Sequence, residues 1–135
     1  KSLIDVCIVG SILICAACAQ ESPKPALRKG VSVQMPVAQH ALAMPAADEP
    51  QATVVALTAE GKLYVGIEPT EPRALSSLSA ETIYVKADSR VPFQKLLTVL
   101  DALRGKSVIL LAASPSNVEK AKIVPPYGIK VLVSK

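Results

Sequence analysis

The sequence predicts an α+β domain placed behind one apolar helix and a Pro-rich linker, and three observations predict it. Apolar residues crowd the N-terminal segment as far as Ala19, and prolines punctuate residues 20–51. From Ala52 onward, strand-like alternation gives way to a helical repeat and then returns. The domain at 52–135 is expected to hold a mixed β-sheet packed by about two helices.

Composition narrows the function classes. With 50% hydrophobic and 19% charged residues, the 135-residue chain carries too much apolar material for a disordered tail. Aromatic residues make up 3% and Trp is absent, which leaves few stacking platforms for single-stranded nucleic acid. The net charge of +4 is scattered along the chain, so neither a phosphate footprint nor a nucleic-acid partner is expected. The one histidine, His40, sits in the Pro-punctuated stretch and reads as a solvated loop residue. No nucleophile–base pair or phosphate-cradling loop is visible, so no enzyme activity, metal or cofactor is expected.

In the N-terminal segment, the only ionised side chain between Leu3 and Ala19 is Asp5. These roughly 17 residues make about 25 Å of helix, at the short end for crossing a bilayer. The chain opens on Lys1, and the span at 1–19 is read as truncated at its N-terminal side. Two readings stand side by side. One is a retained transmembrane helix. The other is a secretory signal, because Ala17-Cys18-Ala19 before Gln20 has the small-x-small form of a cleavage site, with acylation of Cys18 as a variant.

Asp5 favours retention. A carboxylate in the hydrocarbon costs about 2.5–3.5 kcal/mol on insertion scales and persists where something uses or pairs it. Desolvation would raise its proton affinity and make reversible protonation feasible. At the membrane–water interface the same residue would be inert. On a helix Asp5 shares a face with Ile8, Val9, Ile12 and Ala16, while Cys7, Ser11, Cys15 and Cys18 line the other side. That small-residue stripe suits close helix approach or ordinary lipid contact. All three cysteines lie here, so no disulfide framework exists, and Cys15-x-x-Cys18 reads as packing rather than as half a metal site.

Within the linker at 20–51, Val31-Ser32-Val33-Gln34-Met35 alternates and is stopped by Pro36. It reads as a short strand at 31–35 that must pair with a sheet edge, its own or another chain's. In the domain, 52–59 and 62–67 flank Glu60-Gly61 as a hairpin. Pro69 and Pro72 break the chain before a short helix at 73–79. A strand follows at 82–87, with Ile83, Val85 and Ala87 on one face. The best helix spans 92–104, with Phe93, Leu96, Leu97, Leu100 and Leu103 as its core stripe and Gly105 as its stop. Residues 107–113 fit a buried central strand, 116–122 are ambiguous, and 129–133 add a last strand. Asp88, at a strand end before the helix, fits a turn or cap, whereas Lys86 and Arg90 fit either a partner-facing rim or plain surface.

Several of these residues carry a family resemblance. Leu3-Ile4-Asp5-Val6 ahead of an apolar run resembles the single transmembrane helix of the ExbD/TolR biopolymer-transport proteins. Gly30-Val31-Ser32-Val33-Gln34-Met35-Pro36 is similar to that family's alternating Val-x-Val-x-Leu-Pro segment, with Met35 in place of Leu. Ile83-Tyr84-Val85-Lys86-Ala87-Asp88, the helix at 92–103 and the strand Val108–Leu111 resemble its sheet–helix–sheet core. These patches cover somewhat under half of the chain.

The resemblance implies a single-pass subunit of a bacterial inner-membrane complex, with its C-terminal domain in the periplasm. The helix would sit in the bilayer within an ExbB/TolQ-like polytopic partner, and Asp5 would take part in proton passage. The domain would form a homodimer and work with a TonB/TolA-like energy transducer. Val31, Val33, Met35 and Pro36 match the segment that the family uses for pairing and control, and Asp88 matches a family aspartate of structural or partner-facing role. An exported or lipid-anchored periplasmic binding module is the competing expectation.

Overall fold

The computed structural model describes residues 30–113 and 126–133. Strand β1 (Leu42–Ala43) and a 3-10 turn (Pro45–Asp48) precede the hairpin β2 (Thr53–Leu57) and β3 (Leu63–Val65). Then follow β4 (Glu68–Thr70), α1 (Pro72–Leu75), β5 (Thr82–Ala87), α2 (Phe93–Ala102), β6 (Ser107–Ala112) and β7 (Tyr127–Val131). Among the described residues, seven strands make one mixed sheet in the order β1-β7-β6-β5-β2-β3-β4. The α+β class with a mixed sheet and two helices is therefore what the sequence led us to expect.

The centre of the sheet is parallel. β5 pairs β2 from Thr53↔Ile83 to Leu57↔Ala87, and it pairs β6 from Thr82↔Ser107 to Val85↔Leu110. Central parallel strands are covered on both faces, which explains why β6 reads as a continuous apolar run. On one face Val55, Leu57, Ile83, Val85 and Val108 meet Leu75 of α1 and Val99 and Leu103 near α2, all of them essentially sealed from solvent. On the other face Tyr84, Ile109 and Leu111 meet Met35, Met44 and Ala47. The segment read as linker thus lies on the sheet from Gly30 onward and supplies β1 and the 3-10 turn.

Local chemistry places the elements. Gly61 turns the β2–β3 hairpin at φ +80°, and its N–H donates to the Thr58 carbonyl at 2.9 Å. Pro72 occupies the first turn of α1, where a missing N–H costs nothing. Pro69, expected to break the chain, instead sits inside β4, and this is compatible with an edge strand that has no outer neighbour to hydrogen-bond. β7 begins two residues before the expected 129 and takes in Gly128, where an added Cβ would lie 2.7 Å from the Ile109 side chain.

The stripe expected on α2 needs correction. Val99 and Leu103 are its buried residues and Leu96 and Leu100 are half-buried, whereas Phe93 is 69% exposed and Leu97 41%. At 3.6 residues per turn the core-facing arc centres between Leu96 and Leu103, and Phe93 and Leu97 lie roughly 70–110° round from it. The apolar arc of α2 is wider than the surface it covers.

Candidate interaction site at the end of the parallel strands

Residues 31–37 form a strap, of which Gln34 meets the carboxyl end of β5 and Pro36 and Val37 that of β6. The expected alternation is present: Val31, Val33 and Met35 are half-buried, while Ser32, Gln34 and Pro36 are exposed. The stretch 31–35 is not a ladder strand, however. Its attachment to the sheet is a few isolated contacts, ending in a single parallel bridge between Val37 and Ala113. Pro36 accounts for part of this, since it has no N–H to add to a ladder. Its carbonyl still accepts from the Ala113 N–H at 2.9 Å.

Asp88 is the anchor. It ends β5, where its N–H donates to the Leu57 carbonyl at 2.9 Å, and only 4% of it is exposed. Oδ2 accepts from the Gln34 N–H at 3.0 Å and from Nη2 of Arg90 at 3.0 Å. Oδ1 accepts from the Arg90 N–H at 3.0 Å and from its Nε at 2.9 Å. The short loop from Asp88 to Arg90 is therefore a turn closed by the aspartate side chain, with Arg90 folded back on it as a two-pronged clamp. Reciprocally, the Ser89 N–H donates to the Gln34 carbonyl at 2.8 Å, so the strap is gripped through both backbone groups of one residue.

Electrostatics follow from this geometry. The Arg90 guanidinium, then the Gln34 and Arg90 N–H groups, hold the Asp88 carboxyl well below the usual carboxylate range, and burial opposes them only weakly. The same pairing raises the affinity of Arg90 for its proton. Arg90 keeps 67% of its side chain in solvent, so the pair is buried at the acid end and wet at the base end. Among the described residues, every buried side-chain polar atom has a partner.

Two hollows adjoin the strap. One, of about 270 Å³, lies at the strand ends between Pro36, Ala87, Val91, Phe93, Leu96 and Leu110. The other, of about 210 Å³, lies on the opposite face beneath Met35, beside Ala47, Val54, Lys86 and Leu111. Both are mainly apolar; Asp88 and Ser89 also border the first, and Asp48 borders the second.

The structure thus brings Met35, Pro36 and Asp88 to one end of the sheet, with Val31 and Val33 half-buried in the segment leading to them. Asp5 lies outside the described residues. Among the described residues no helix is long and apolar enough to cross a membrane, and no group of His, Cys, Asp and Glu could hold a metal ion. Reading the sequence left Arg90 as rim or surface and gave Gln34 no role; the Asp-x-Arg spacing was the available signal for the clamp. In comparisons with known proteins, no family model matches the chain and no curated protein is significantly similar to it.

Proposed function

We propose that this chain is an ExbD/TolR-like subunit of an inner-membrane proton channel complex. In this reading, Asp5 in the N-terminal apolar segment takes up and releases protons inside an ExbB/TolQ-like partner. The α+β domain, in the periplasm and as a homodimer, passes the resulting movement to a TonB/TolA-like transducer, serving outer-membrane transport or envelope maintenance. The observation that supports the reading is the attachment of residues 34–37 to the end of the sheet, through Gln34, Asp88 and Ser89. Because these residues lie downstream of the apolar run in sequence, a displacement at the membrane would reach the sheet through them. A proton falling through ~100 mV releases about 2.3 kcal/mol, comparable with a few such hydrogen bonds.

Asp5→Asn, which keeps size and removes charge, is expected to abolish uptake that depends on the proton motive force while protein level and membrane association stay unchanged. Unchanged uptake would refute the proton role. Co-purification from membranes with a polytopic partner is expected as well. The Ala17-Cys18-Ala19 pattern favours the second reading, an exported or lipid-anchored binding module. N-terminal mass spectrometry separates the two, since only the second gives a chain beginning at Gln20 or an acylated Cys18.

A further inference from the structure

The two edges of the sheet are treated differently. At one edge β4 is three residues long and carries Glu68 and Pro69, a charge and a missing donor that discourage further pairing. At the other edge β1 covers only the start of β7, through Leu42↔Gly128 and Ala43↔Tyr127. The chain then turns away at Ala38–Ala41, where the Ala41 N–H donates to the Ala38 carbonyl. Among the described residues, nothing pairs with the outer side of β7 beyond Gly128. Alternate residues of an edge strand direct their N–H and C=O groups outward, so this stretch presents a bare hydrogen-bonding edge among the described residues.

The edge is apolar where a protected one would not be. Ile129 is 44% exposed and Leu132 92%. Beside it runs an open groove of about 590 Å³ between α2 and the end of β7, where Leu97, Leu100, Val131 and Val133 are joined by the polar Gln94, Thr98 and Asp101. This is the flank of α2 that the core leaves uncovered. A backbone edge next to a groove with aliphatic side chains among polar ones suits an extended strand with apolar residues at alternate positions.

We propose that the 129–133 edge, with the α2 groove, binds an extended segment of another protein by strand addition. Backbone pairing supplies affinity, and the groove takes every second side chain. Lys130, exposed on this edge, sets the charge: an acidic residue opposite it is favoured. A second copy of this chain would bring another Lys130 to the same edge and is disfavoured. The surface is separate from the strap, and the inference stands whether or not Asp5 moves protons.

The test uses the full chain in detergent and the end-blocked peptide Val-Glu-Val-Thr-Val as probe, followed by hydrogen exchange at single amides. Alternate amides within 129–133 are expected to slow by about tenfold at saturation, with no change at β4. Replacing the peptide's Glu by Lys is expected to weaken binding by about tenfold. Ile129→Lys should abolish the protection, with exchange at Val85 and Val108 confirming an intact core. The proposal is overturned if the peptide protects no amide or protects another region, or if the Glu and Lys peptides bind equally. It is also overturned if 129–133 is already protected without peptide in a species whose mass doubles with concentration, since a second copy then holds the edge.

Discussion

Asp88 accepts four hydrogen bonds on two oxygens, and one of them reaches a residue 54 positions away in the sequence. The other three come from Arg90, so removing the Asp88 carboxylate releases the clamp and the strap together. Asp88→Ala is expected to speed hydrogen exchange at Gln34, Ser89 and Ala113 while leaving Val85 and Leu110 in the central strands protected. Equal loosening of both sets would show that the residue serves the fold and not the strap. The pH dependence has a definite direction. The folded carboxyl has a pKa below the 3.8 of a free aspartate, so as pH falls the unfolded chain takes up its proton first. The stability that Asp88 contributes is thus fully present above about pH 5 and is withdrawn as pH falls towards and through the lowered folded value. Protection at Gln34 is expected to survive throughout the ordinary carboxylate range, and its loss near pH 4 would contradict the clamp.

At the scale of elements, α2 shows how far a pattern can be trusted. Its existence, its Pro92 entry and its Gly105 stop (φ +83°) were legible, because a ten-residue helix gives several turns of repeat. Which part of the apolar arc faces inward was not, since that depends on where the neighbouring strands lie. Leu103→Ala is expected to cost about 2–5 kcal/mol in chemical denaturation. Phe93→Ala should stay within about 0.5 kcal/mol of the parent. Comparable losses at the two positions would place the helix in a different rotation. β5 and the β2–β3 hairpin were readable for the same reason as α2, five or six alternating residues or a Gly-bearing turn. β1 and β4 were not, because two or three residues carry no period and Pro69 argues against a strand in any sequence-based reading. The site divides likewise. The inward alternation of Val31, Val33 and Met35 is a local pattern, while the grip of Asp88 on Gln34 is a long-range contact with no local signature.

For the molecule as a whole, helices cover one face of the sheet and an irregular segment covers the other. Among the described residues no α-helix packs on the second face, and Tyr84, Ile109 and Leu111 are covered by Met35, Met44 and Ala47. A fragment beginning at residue 52, the boundary that polarity alone suggests, is expected to bind an apolar dye and to melt about 10 °C or more below a fragment beginning at residue 30. Equal melting temperatures would mean that the covering segment is dispensable.

The direction of the strap relative to the strands it meets has a mechanical consequence. Its attachments follow one another along the chain, Gln34 at the end of β5 and then Pro36 and Val37 at the end of β6. Tension applied from the Gly30 side therefore loads them in series, so that they peel one after another instead of resisting together in shear. The first to feel the load is the charged anchor, and the sheet behind it stays unstrained until that anchor yields.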